Sequence, residues 1–201
     1  MPDRYPIPAG VARTEFSEKN SIFIGTAGPA SSVDEAEHFI RLVATEFKDA
    51  SHNVWAYLIG FGPTATLACH NDGEPGGTAG PPALAVLQGC GLGDIAVVVT
   101  RYFGGIKLGT GGLARAYGRA AREAVAALPR SERVARVTLS VEIDYHFHDG
   151  LRRALPTYEI IVQGVDYGPT VRFDLSLPVD RADEFALFAQ EMTSSRAIIR
   201  R

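Results

Sequence analysis

Residues 71–122 read NDGEPGGTAGPPALAVLQGCGLGDIAVVVTRYFGGIKLGTGGLARAYGRAAR. Glycine and proline concentrate in two clusters, Gly73–Pro82 and Gly104–Gly112, and glycine permits positive φ or close backbone approach where other residues do not. Each cluster runs into an apolar pattern of helical spacing. A glycine loop feeding a helix N-terminus leaves backbone N–H groups without intrahelical acceptors, and those groups favour an anionic ligand. Between the clusters, Asp94–Thr100 (DIAVVVT) is a near-continuous apolar run of strand length. Such a run predicts a central strand covered on both faces.

Working outward, Val11–Phe16 and Ser21–Thr26 predict an opening β-hairpin closed off by Gly28-Pro29. Ser32-Val33-Asp34-Glu35 is a capping-box pattern, followed by Ala36, Phe39, Ile40, Val43 and Phe47 at helical spacing. Val54–Gly60 and Thr64–His70 read as paired strands that deliver the chain to Asp72-Gly73. Pro81-Pro82 are tolerable in a first helical turn, so Ala83–Gln88 predicts a short helix. Leu113, Ala116, Tyr117, Ala120, Ala124 and Leu128 give a longer amphipathic one. Leu128–Ser131 reads as a linker.

Beyond it the pattern changes. Val137, Leu139, Val141, Ile143 and Tyr145 alternate with other residues, as in an antiparallel strand with one wet face. A short helix over Asp149–Leu155, strands at Tyr158–Val165 and Thr170–Leu177, a helix from an Asp180 cap to Met192 and a last strand at Ala197–Ile199 follow. The order is βαββαβ, a ferredoxin-like module. The chain therefore predicts an α+β protein of two domains, residues 1–130 and 131–201.

Composition narrows the function classes. With 201 residues and 46% hydrophobic content the chain can bury a core. The opening MPDRYPIPAG has no apolar stretch of signal-peptide length, and no run reaches a membrane span. A cytoplasmic protein without membrane contact is expected. Cys69 and Cys90 are too few for a disulfide framework and have no CxxC spacing. The net charge of −3 gives no general pull toward nucleic acid. Residues 131–201 carry 9 basic and 11 acidic residues, but from Arg101 to Arg122 there are five basic residues (Arg101, Lys107, Arg115, Arg119, Arg122) and no acidic one. A polyanion-binding face belongs there.

Known site motifs fit poorly. Gly109-Thr110-Gly111-Gly112-Leu113-Ala114 matches G-x-G-x-x-A, yet seven residues separate it from the apolar strand and no series of parallel βαβ units surrounds it. A phosphate-binding Walker loop would need lysine where Thr110 stands. Cys69, His70, Asp72 and Glu74 are ligand types strung across a turn, a spacing that seldom converges on one metal. Neither a metal nor another cofactor is expected, and no nucleophile elbow is present.

The segments NDGEPGGTAG and VVTRYFGGIKLGTGGLARAYG closely resemble the signature of the IMPACT/YigZ family, and the resemblance extends over the first 130 residues. At two points the chain carries a neutral residue where the family pattern has a cation, Ile22 and Pro81. The resemblance implies an N-terminal α/β sandwich of the ribosomal-protein and GHMP-kinase type with a left-handed βαβ unit. It further implies a C-terminal ferredoxin-like domain resembling domain V of elongation factor G. Eukaryotic relatives are translational regulators, acting through an additional N-terminal domain.

Together these readings predict a non-enzymatic, translation-linked protein that binds RNA or DNA, or a ribosome-associated protein. The expected site is Arg101, Gly104, Gly105, Lys107, Gly109, Thr110, Gly111, Gly112, Arg115 and Arg119, with Arg101 and Lys107 free to reach a ligand and Arg122 a solvated surface residue. The acidic turn Asp72, Gly73, Glu74 and Thr78 is a secondary candidate. The alternative is an enzyme on a GHMP-kinase-like fold, with Gly109–Gly112 cradling a nucleotide phosphate and Asp72 or Glu74 as base or magnesium ligand.

Overall fold

The computed structural model describes residues 2–201, and its internal contacts divide the chain after Arg133 into two compact units. In the first unit, β2 (Ala12–Glu18), β3 (Ser21–Pro29), β4 (His52–Ile59), β5 (Thr66–His70) and β6 (Ile95–Tyr102) form one sheet in the order β2-β3-β6-β4-β5. Every neighbouring pair is antiparallel. Because β3 and β4 both run antiparallel to β6, they are parallel to each other. They are joined through α1 (Val33–Glu46), which makes a split βαβ unit.

The two faces of β6 explain its apolar run. Ala96 and Val98 point to one side, where Ala36, Ile40 and Val43 of α1 cover them. Ile95, Val97 and Val99 point to the other, beneath α2 (Gly80–Gly89) and α3 (Thr110–Ala126). Alternation of side chains along a strand puts Arg101 on that second face as well. Ser32 caps α1 as its sequence pattern predicts, its hydroxyl accepting from Glu35 N at 3.2 Å. Gly25 lets α3 lie close on β3, since a Cβ there would stand 2.4 Å from the Ala120 carbonyl oxygen.

Two expectations in this unit are corrected. Arg130–Val134 is a strand, β7, rather than a linker, and it pairs with β1 (Arg4–Pro8) in a separate two-stranded sheet. Asp94 ties this sheet to the rest: buried at the head of β6, it accepts from Tyr5 Oη at 2.9 Å, Gly60 N at 2.8 Å and Arg133 Nη1 at 2.6 Å. The second correction is small. α2 starts at Gly80, three residues earlier than the apolar pattern indicates, because the Asn71 side chain accepts from Gly80 N at 2.9 Å and Ala79 N at 3.3 Å.

The second unit, Val134–Arg201, contains β8 (Arg136–Ile143), α4 (His148–Ala154), β9 (Ile161–Tyr167), β10 (Val171–Pro178), α5 (Val179–Met192) and β11 (Ile198–Arg200). Its sheet order is β11-β8-β10-β9, all antiparallel. This is the ferredoxin-like arrangement. Leu139, Val141 and Ile143 of β8 and Phe173, Leu175 and Leu177 of β10 pack on Leu151 of α4 and Phe185 of α5. Pro178, not Asp180, holds the N-cap position of α5, and Asp180 lies in the first turn. No helix among the described residues is long and apolar enough to cross a membrane.

Candidate functional site: two clefts on the N-terminal unit

Sheet register assembles the first cleft. On β6, Arg101 stands opposite Phe23 of β3 and His52 of β4, so three residues distant in sequence become neighbours. The acidic turn then closes over them. Asp72 adopts a left-handed conformation (φ 44°) followed by Gly73 (φ 83°), and the Asp72 carboxylate accepts from Asn53 N at 2.7 Å. That turn delivers Glu74 inward.

Glu74 is the centre of a buried polar network. Its Oε1 accepts from Arg101 Nη1 at 2.6 Å and from Tyr117 Oη at 2.7 Å, and lies 3.7 Å from His52 Nε2. The Glu74 and Arg101 side chains are 4% and 5% exposed. Burial, and after it the Glu74 carboxylate, push the Tyr117 hydroxyl far above the usual phenol range. His52 Nδ1 faces the Asp72 carbonyl oxygen at 2.7 Å; a carbonyl only accepts, so Nδ1 carries the proton. Ser21 Oγ accepts from Arg101 Nη2 at 3.3 Å and from Gly104 N at 3.2 Å, which pins the glycine loop to β3.

The cleft in front of this network encloses about 610 Å³ and is lined by His52, Glu74, Arg101, Phe103, Lys107, Gly109 and Thr110, among others. Gly109 is the N-cap of α3 with φ 73°, and no side chain caps the helix. The first backbone bond of α3 is Leu113 N to Gly109 O at 2.9 Å. The N–H groups of Thr110, Gly111 and Gly112 precede it and have no intrahelical acceptor.

A second cleft, of about 980 Å³, runs between α2 and α3. Its floor is small: Ala85 and Gly89 of α2, Ala114, Gly118 and Ala126 of α3. Arg115, Arg119, Arg122 and Arg130 line it, with Glu18 the one carboxylate among its lining residues. Arg119 is occupied, bound to Glu123 at 2.7 Å and standing 4.0 Å over the Phe16 ring. Arg115, Arg122 and Arg130 are exposed and have no ion-pair partner among the described residues.

The expected site residues thus divide. Arg101, Lys107, Gly109 and Thr110 line the first cleft together with Glu74, while Arg115 and Arg119 line the second. Gly111 is not a lining residue of either cleft, though a Cβ there would be 3.6 Å from Arg115 Nη1. Contrary to the expectation drawn from its strand-end position, Arg101 is not free to reach outward, because Glu74 holds it. Gly104 serves packing: a Cβ would fall 2.0 Å from the backbone of Asn20. Gly112 is buried and Gly105 (φ 83°) has open space around it. Thr78 is buried and donates to the Pro75 carbonyl at 2.6 Å. The expected site leaves out His52, which no motif marks, and Arg130, which was read as part of a linker; they line the first and the second cleft. Arg122 is exposed, as expected of a solvated residue, and it also lines the second cleft. No group of three or more His, Cys, Asp or Glu side chains suited to a metal is found among the described residues.

Sequence comparison matches residues 19–125 to the Impact N-terminal domain. The chain belongs to the IMPACT family. Residues 141–196 match a domain of unknown function (DUF1949). The IMPACT family member YigZ of Escherichia coli K12 is 35% identical over 181 residues, covering 90% of this chain and 89% of that one. A crystal structure of a hypothetical protein matches with a TM-score of 0.71 and 32% identity, over 99% of this chain and 97% of its own. A likeness over 59% of this chain and 46% of the other, with a TM-score of 0.40 and 25% identity, is to the two-domain translational regulator Yih1.

Proposed function

We propose that this chain is a translation-linked binding protein whose N-terminal unit holds a nucleic-acid backbone, RNA in the first place, in the groove between α2 and α3. The observation that carries it is the row Arg115, Arg122 and Arg130, three exposed guanidinium groups along one cleft without carboxylate partners among the described residues. Guanidinium groups pair with phosphate through fixed, forked N–H donors. Alanine and glycine on the groove floor let a sugar–phosphate strand approach the helix backbones. A ribosome-associated protein with an acidic segment is the competing partner for the same charges.

Titration of fluorescent single-stranded RNA with the full chain at two salt concentrations tests this. Binding that weakens steeply with salt, and weakens further in Arg122→Glu, is expected. An RNA that binds at neither salt, or that binds Arg122→Glu as it binds the parent, removes the groove as the site.

A further inference from the structure

We propose that the first cleft, in front of Glu74 and Arg101, is a binding site for a nucleoside phosphate monoester, carried by a free nucleotide or by the end of an RNA strand. The site is separate from the arginine groove and stands whether or not the groove holds RNA.

Several observations converge. The N-terminus of the 17-residue helix α3 is uncapped and opens on this cleft through Gly109 and Thr110. Three N–H groups, those of Thr110, Gly111 and Gly112, point out of that first turn, which favours an anion. Lys107 lines the same cleft and has no ion-pair partner among the described residues. Behind it stands Arg101, a side chain 5% exposed that also lines the cleft, with its Nε left without a hydrogen-bond partner. A buried guanidinium N–H without an acceptor is costly in a finished core. This unsatisfied donor belongs to a residue of the cleft wall.

The carboxylate in the cleft does not oppose this. Glu74 Oε1 is held by Arg101 Nη1 and the Tyr117 hydroxyl, so its charge is matched within the wall. His52 turns Nδ1 to the Asp72 carbonyl and Nε2 toward Glu74. The net charge left facing the cavity is that of Lys107 and the helix end. A monoester dianion, with three terminal oxygens, suits three N–H groups and an ammonium better than a singly charged diester does.

The remaining wall says what the phosphate is attached to. Pro75, Phe103, Leu108 and Leu113 line the cleft, and Phe103 is 48% exposed. An exposed aromatic ring beside an anion site is a stacking surface for a base. The cleft volume of about 610 Å³ lies within the range of small-molecule sites. Gly109 lines the cleft, and an added Cβ there would meet nothing within 4 Å, so the space beside it is open.

The test uses the full chain and four probes: adenosine monophosphate, adenosine, inorganic phosphate, and a short RNA with or without a terminal phosphate. Adenosine monophosphate raises the melting temperature, adenosine does not, and inorganic phosphate binds more weakly than the nucleotide. Among the RNA pair, tighter binding of the phosphorylated oligomer assigns the site to strand ends, and equal binding assigns it to free nucleotides. Lys107→Ala weakens adenosine monophosphate about tenfold. Thr110→Asp places a carboxylate where the phosphate would sit, which suits the helix dipole, so it abolishes nucleotide binding without lowering the melting temperature. Arg122→Glu leaves nucleotide affinity unchanged, which separates this site from the groove. The inference is overturned by a nucleotide that does not bind at millimolar concentration, by adenosine binding as well as its phosphate, by phosphate alone binding as tightly as the nucleotide, or by Thr110→Asp binding like the parent.

Discussion

Glu74 Oε1 and Arg101 Nη1 meet at 2.6 Å inside the first unit, on side chains 4% and 5% exposed. Removing one partner from such a pair strands the other charge in a poorly solvated place, which costs far more than the net worth of the pair. Arg101→Ala is therefore expected to lose roughly 3–5 kcal/mol in urea denaturation. Replacing both, as Glu74→Leu with Arg101→Met, should cost clearly less than the single change. Equal losses would show that the pair is not a unit.

Tyr117 gives the stability a defined alkaline limb. Burial first and Glu74 second raise its hydroxyl pKa, and burial and Asp94 raise that of Tyr5. Both hold their proton to higher pH in the folded chain than in the unfolded one. Their contribution is complete below the unfolded phenol value of about 10 and is lost as the pH rises above it, at about 1.4 kcal/mol per pH unit for each tyrosine. Tyr117→Phe should flatten this limb while lowering stability at neutral pH by about 1 kcal/mol, because Glu74 loses a donor. Urea curves at a series of alkaline pH values measure both effects, and an unchanged slope would contradict the assignment.

Gly104 and Gly76 offer a matched contrast within the glycine-rich segments. A Cβ on Gly104 would overlap the Asn20 backbone at 2.0 Å, whereas one on Gly76 meets nothing within 4 Å. Gly104→Ala is expected to destabilise by roughly 1–3 kcal/mol through overpacking. Gly76→Ala should stay within about 0.5 kcal/mol. Thermal unfolding of the two variants checks this, and a neutral Gly104→Ala would mean that the loop is not fixed against the β2–β3 turn.

Arg115 and Arg122 should act on affinity alone. Each exposed guanidinium that contacts a phosphate contributes about 0.7 to the log–log salt slope for a single strand. Arg115→Ala and Arg122→Ala are each expected to make the slope shallower by about that amount, with stability within about 0.5 kcal/mol of the parent. Anisotropy titrations over a salt series, paired with melting temperatures, measure the two quantities on the same proteins.

Local chemistry made much of this fold legible in the sequence. The Ser32–Glu35 capping pattern marks α1, the apolar DIAVVVT run marks the middle of the sheet, and the element order after residue 134 marks the ferredoxin-like unit. What escaped depends on distant partners. β7 reads RSERV, polar and exposed along nearly its whole length, and β1 reads RYPIP with two prolines, which disfavour strand pairing. Neither shows alternation, because each has one strand partner and little core. The two clefts were half visible. Spacing places Arg115, Arg119 and Arg122 on one helix face, but the α2 wall opposite them is a tertiary fact. Arg101 was legible as a cation beside a glycine loop. Its burial was not, because the carboxylate that holds it comes from a turn 27 residues earlier.

The pairing of β1 with β7 also sets an order of events during synthesis. The five-stranded sheet draws on residues 12–102, all of which precede β7 in the chain. β1 has to wait. Its partner is made more than a hundred residues later, and Arg133, which fastens Asp94 at 2.6 Å, is the last residue of the unit. Until then Asp94 holds only Tyr5 and Gly60, and the first strand is an unpaired ribbon. A chain made from its N-terminus therefore has every strand of its main sheet before it has the partner of β1, and this clasp is the last part of the unit that can close.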